Sequence, residues 1–172
     1  MTHPFFGAAF LFVGSLLVVE LLAGQVWRRS QALVMLWPAT LFGAGVGMLI
    51  VTYVQPTEKA PHLALALLLL LGGFMEARYR LGHVSRTTAD MFAIPALLLG
   101  AFVTGPLHAT GPILSSATAQ THLLAGLVGF SLAGVRTMQL RLGRTAVLDA
   151  SFGAGVMLLG LSLLMVQQFH HR

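Results

Sequence analysis

The sequence predicts an all-α fold: a polytopic membrane bundle of six transmembrane helices arranged as three helical hairpins. Three observations carry this. Hydrophobic residues make up 56% of the 172 residues and charged residues only 9%, a balance that belongs to multi-span membrane proteins. Apolar runs recur from Pro4 to Gln168, each near the length of about 20 residues that a spanning helix needs. The basic residues cluster in alternate connections between those runs, as in membrane proteins of defined orientation. A bilayer core holds no water to satisfy backbone polar groups, so apolar runs of this length form helices. The whole chain, 1–172, reads as a single transmembrane domain with no room for a separate soluble one.

The spans fall at roughly 4–26, 31–54, 62–79, 90–108, 120–138 and 146–168. The first run follows a start without basic residues, Met1-Thr2-His3-Pro4, and exceeds the core of a signal peptide, so it reads as a retained helix. Trp27-Arg28-Arg29-Ser30 ends it, and Ser30 can cap the second helix. Gln55-Pro56-Thr57-Glu58-Lys59-Ala60-Pro61 is a loop. Thr87-Thr88-Ala89-Asp90 resembles a capping box for the fourth helix, with Asp90 near the positive helix end. Gly105-Pro106 and Gly111-Pro112 interrupt the chain after it, and Gly143-Arg144-Thr145 divides the last hairpin. Asp149 is an N-terminal dipole partner for the sixth helix. Pro38 and Pro95 lie early in helices two and four, where a membrane span tolerates proline. Gly43-x3-Gly47 is a close-packing signature. Phe42-Gly43-Ala44-Gly45-Val46 and Phe152-Gly153-Ala154-Gly155-Val156 hint that the hairpins are repeats.

Arg28, Arg29, Arg78, Arg80, Arg86, Arg136, Arg141 and Arg144 map to one membrane side, and only Lys59 and Arg172 to the other. The positive-inside rule places both termini on the non-cytoplasmic side of a cell membrane. The net charge of +5 is therefore a topology signal, with the lipid bilayer and not nucleic acid as partner. The absence of cysteine excludes disulfides, thiolate metal sites and iron–sulfur ligation. No Ser/His/Asp set, phosphate loop or His-Glu-x-x-His motif stands out, so nothing points to catalysis by the chain itself.

Six of the seven histidines, His3, His62, His108, His122, His170 and His171, map opposite the arginines, and His83 alone lies with them. His62 shares a helical stripe with Ala66, Gly73 and Ala77, and His122 with Ala125, Gly129 and Ala133. His108 stands one turn after Thr104, and His3 aligns with Gly7 and Gly14. Small residues mark faces where membrane helices pack closely, so His62, His108 and His122 are predicted to converge at the outer mouth. Imidazole suits copper, zinc, iron and nickel, which makes the three a candidate metal site or a source of axial ligands for haem b. The plainer reading of any one histidine is an interfacial anchor or an interhelical hydrogen bond, and His170 and His171 read as a solvated tail.

Glu20 and Glu76 lie in the inner third of helices one and three, where an unpaired carboxylate is expensive. Arg136 follows His122 by the same fourteen positions that separate Glu76 from His62. A Glu76–Arg136 pair is expected, with Glu20 reaching Arg78 or Arg136: an inner ion-pair girdle on the structural reading, which is favoured, and a proton or cation relay on the functional one. The eight methionines form no Met-x3-Met ladder and read as core filling.

Pro61-His62-Leu63-Ala64-Leu65-Ala66 leading to Gly72-Gly73, and Thr121-His122-Leu123-Leu124-Ala125-Gly126, resemble helices of CopD-type copper-resistance membrane proteins. The resemblance covers about forty residues. It implies copper handling at the periplasmic face, with His62 and His122 at the matched positions. The chain departs from that pattern at Leu71, where the family often has a tryptophan, and lacks a methionine-rich outer segment. The sequence thus leaves three readings: a metal-handling membrane protein with copper favoured, a haem-b membrane subunit of a redox complex, or a cofactor-free accessory subunit that binds other membrane protein subunits.

Overall fold

This is a multi-pass integral membrane protein: among the described residues, six helices are each long and apolar enough to cross a membrane. The computed structural model describes residues 3–54, 59–107 and 117–168. The helices are α1 (His3–Arg29), α2 (Gln31–Val54), α3 (Lys59–Arg80), α4 (Arg86–Phe102), α5 (Ala117–Leu142) and α6 (Ala146–Gln168). A π-helical turn, Val103–Leu107, continues α4.

Each helix packs its backbone against its neighbours in sequence, and α6 closes on α1. Among the described residues no other pair of helices makes backbone contact. The bundle is therefore a closed ring of six, and its axis is left to side chains and a cavity. Glycine sets the closeness of the seams. A Cβ on Gly160 would stand 2.6 Å from the Leu11 nitrogen and 2.7 Å from the Gly7 oxygen, so α1 and α6 touch through their backbones. A Cβ on Gly73 would meet the Pro38 oxygen at 2.8 Å, and one on Gly126 would meet the Gly105 Cα at 2.8 Å. In lipid such packing replaces the hydrophobic effect that joins helices in water. The Gly43-x3-Gly47 signature does not act this way. A Cβ on Gly43 would meet nothing within 4 Å, and Gly47 touches only the Phe5 ring.

The turns at the arginine-rich end are short and chemically specified. Ser30 alone separates α1 from α2, and its Oγ accepts from the Leu33 N–H at 3.4 Å. After α3, Gly82 at φ 76° takes the left-handed position that L residues avoid. The His83 N–H then donates to the Arg78 oxygen and the Gly82 N–H to the Tyr79 oxygen, both at 2.9 Å. This is a Schellman closure. Thr145 caps α6, its Oγ1 accepting from the Leu148 N–H at 3.2 Å.

Helix α4 begins four residues before the expected start, and its cap is Ser85 instead of Thr87. The Ser85 Oγ accepts from the Thr88 N–H at 3.0 Å. Asp90 is thereby freed from a capping role and sits buried one turn inside the helix. Within α1, Gly24 adopts φ 51° and ψ −116°, a break that leaves Trp27 buried under the bundle. Pro38, fully buried in α2, has no N–H for the Val34 carbonyl. That carbonyl instead accepts from Arg80 Nη1 at 3.3 Å. A proline in one helix thus creates an acceptor for an arginine of the next.

Candidate functional site: a lumen between histidines and an ionic floor

A cavity of about 220 Å³ runs along the ring axis and is lined by residues of all six helices. Its wall is aliphatic, aromatic and glycine, with Phe6, Phe10 and Leu69 among the contributors. The polar groups gather at its ends. His3, His62, Thr104 and His122 line one end, and Glu76 and Arg136 line the other.

The floor is one continuous ionic chain. Arg80 Nη2 meets Glu20 Oε2 at 2.8 Å and its Nε meets Glu76 Oε1 at 3.0 Å. Arg86 Nη1 holds Glu76 at 2.9 Å, and its Nη2 holds Asp90 at 2.8 Å. Arg136 Nη1 lies 3.5 Å from Asp90 and donates to Gln139 Oε1 at 3.0 Å. Gln139 Nε2 donates to Asp149 Oδ1 at 2.7 Å, which also takes Arg144 Nε at 2.8 Å. The chain therefore links α1, α3, α4, α5 and α6. Arg80 adds α2 by lying over the Trp37 ring, 5.0 Å from its centroid. Arg136 lies over Phe152 of α6 at 4.1 Å. Four arginines (Arg80, Arg86, Arg136, Arg144) face four carboxylates (Glu20, Glu76, Asp90, Asp149), so the floor is formally neutral. Burial of charge at this depth is tolerable only because each group has an opposite partner.

The floor corrects the expected pairing. Glu76 and Arg136 do lie at the same end, joined through Arg86 and Asp90. Glu76 is nevertheless taken by Arg80 and Arg86 instead of Arg136, and Arg136 turns to Asp90 and Gln139. Glu20 takes Arg80, not Arg78 or Arg136. The reason is helical phase. Arg80 follows Glu76 by one turn on the lumen face, whereas Arg78, two residues on from Glu76, is rotated away. Arg78 is exposed and lies over the Phe74 ring. Arg86 and Asp90, absent from the expected girdle, became its centre because α4 starts early enough to set them one turn apart.

At the other end, the His3 and His122 rings meet edge to face with centroids 5.3 Å apart. His122 is buried and His62 half-buried at the same end of the cavity. The stripes beneath them are inward too: Ala66 and Ala125 are fully buried against the core. His108, the third member of the expected trio, lies outside the described residues, as do His170 and His171. His3, which the expected trio omits, is brought to His122 from α1. Its helical alignment with Gly7 and Gly14 was the signal, since both pack against α6. Among the described residues no group of three or more His, Asp or Glu side chains is close enough to hold a metal ion. The described imidazoles thus supply one touching pair and a third ring that lines the same end of the cavity. Comparison with protein-family models, curated proteins and solved structures finds no match to this chain.

Proposed function

We propose that this integral membrane protein holds a transition-metal cation, copper foremost, through imidazoles at the histidine end of its lumen. The contact between His3 and His122, with His62 lining the same end of the lumen, carries this reading. Imidazole nitrogens bound at about 2.0–2.1 Å in a tetrahedral arrangement place two ring centroids roughly 5 Å apart, which is the spacing of this pair. His62 completes the set by a side-chain rotation toward the pair. The resemblance of the segments that open at His62 and His122 to CopD-type helices favours copper. The lumen below offers a cation no polar path, and the ionic floor closes it. An ion would shed its hydration against an apolar wall, so binding or hand-over at the mouth fits better than conduction.

The arginine count supports a histidine end on the non-cytoplasmic side. Exposed Tyr53, near the histidine end, and exposed Leu142, near the arginine end, provide the check. In this cysteine-free chain, Tyr53→Cys should react with a membrane-impermeant thiol reagent from outside the cell, and Leu142→Cys only after the cytoplasmic face is opened. The reverse pattern inverts the assignment.

Copper(I) and zinc titrations of the purified protein test the metal reading. One ion per chain is expected. The double variant His3→Ala/His122→Ala should weaken binding by more than the 10–100-fold typical of losing a ligand's supporting partner. His83→Ala, at the opposite end, should leave it unchanged. Absence of binding, or equal binding by the double variant, overturns the proposal. A Soret band in the protein as isolated overturns it in favour of haem.

A further inference from the structure

Two residues that line the lumen floor carry buried hydrogen-bond donors with nothing to donate to. Three buried side-chain nitrogens among the described residues lack a partner: Trp27 Nε1, Trp37 Nε1 and Arg136 Nε. Two of the three, on Trp37 and Arg136, belong to residues that line the lumen. Trp37 is 4% exposed and Arg136 3% exposed. An indole N–H and a guanidinium N–H can only donate. A buried donor left unpaired costs about 1–3 kcal/mol, and the bilayer around this site supplies no water to offset it. The two donors are parts of one assembly. Trp37 and Phe152 pack in the same buried cluster, and the Arg136 guanidinium lies on the Phe152 ring. The remaining contacts of Arg136 are already committed, with Nη1 bonded to Gln139 and close to Asp90. What the floor lacks is an acceptor.

Charge decides which acceptor. The floor's four arginines are balanced by its four carboxylates, and Glu76 itself faces the lumen. A carboxylate ligand would lose its hydration and then meet Glu76. A carbonyl oxygen carries acceptor capacity without that cost. Size limits the rest of the molecule. An apolar cavity of about 150 Å³ accepts benzene; a lumen of about 220 Å³ takes a substituted single ring. The wall above the floor is apolar and asks for no further polar groups.

We propose that the lumen binds a neutral, carbonyl-bearing apolar ring of the quinone type, its carbonyl end lying at Trp37 and Arg136. Neither nitrogen has accessible area of its own, so the ligand meets them through a rotation of the indole and the guanidinium. Such molecules dissolve in the bilayer in which the protein sits. The inference stands apart from the histidine end and survives or falls without it.

The test uses duroquinone (tetramethyl-1,4-benzoquinone) and the intact detergent-purified protein, with binding followed by equilibrium dialysis in the absence of added metal. Saturable binding of one duroquinone per chain is expected. Durene, which keeps the methylated ring but lacks the oxygens, forgoes the bonds to both donors and should bind about 25- to 100-fold more weakly, two hydrogen bonds at about five- to tenfold each. Trp37→Phe keeps the aromatic ring and removes one N–H, and it should cost about five- to tenfold for duroquinone and nothing for durene. Trp27→Phe, outside the lumen, should change neither. Absence of saturable duroquinone binding overturns the proposal. So does equal binding of durene and duroquinone, which would make the lumen an unselective apolar void. Tighter binding of tetramethylbenzoate than of duroquinone would overturn it in favour of an anion site.

Discussion

Glu76→Gln is expected to destabilise the protein by about 3–5 kcal/mol, the range found when one partner of a buried ion pair is removed. Glu76 is 6% exposed and anchors both Arg80 and Arg86. Glutamine keeps its shape but leaves two guanidinium groups facing each other across a neutral amide. The loss would propagate, because Arg86 also holds Asp90 and Arg80 also holds Glu20. Asp149→Asn is the control. Its partner Arg144 is half-exposed at the end of the chain of contacts, so that change should cost only about 0–1 kcal/mol. Thermal unfolding of both variants in the same detergent reads the difference. Equal midpoints would mean that the floor is not the clamp its geometry describes.

Gly160→Ala is expected to cost about 1–3 kcal/mol, the usual penalty for overpacking. The added methyl would strike backbone atoms of Leu11 and Gly7, which cannot move aside as a flexible side chain can. Helices α1 and α6 must separate, and theirs is the seam that closes the ring. Gly43→Ala is the opposite case. Its new methyl meets nothing within 4 Å, and it gains the helix propensity of alanine over glycine, worth up to about 1 kcal/mol. Unfolding midpoints that move down for the first and not for the second confirm the seam. Matching shifts would contradict it.

Much of this was legible in the sequence because it rests on local rules. Six apolar runs and the absence of water in lipid suffice for six helices, and Ser30 caps α2 as its type and place suggest. The stripes under His62 and His122 turned inward because small residues occur where helices touch. Partner choice within the floor was less legible. Glu76, Arg80, Arg86, Asp90 and Arg136 were all visible as charges, but their pairing depends on helical phase and on the true start of α4 at Arg86. The cap at Ser85 is obscured in the sequence because Thr87-Thr88-Ala89-Asp90 offers the same chemistry two residues later. The likeness between Phe42–Val46 and Phe152–Val156 does not mark equivalent places. Phe42 is 46% exposed on the outer face, and Phe152 is 8% exposed under Arg136. The same five-letter pattern points outward in one helix and inward in the other. Trp37 and His3 gained their importance from ring closure, which no spacing within a single helix encodes.

The helices form a closed ring whose histidines meet across one end of its lumen. Helices α1 and α5 are not neighbours in that ring, and His3 and His122 are their meeting point. The most direct measurement is cross-linking of the double variant His3→Cys/His122→Cys in native membranes with a short bifunctional thiol reagent. The chain has no cysteine of its own, so any internal link reports this pair. Exposed Phe12 and Leu127, on the outer faces of α1 and α5, supply the comparison pair Phe12→Cys/Leu127→Cys. An intramolecular link is expected for the histidine positions and none for the outer pair. A link for the outer pair, or none for the histidine positions, would contradict it.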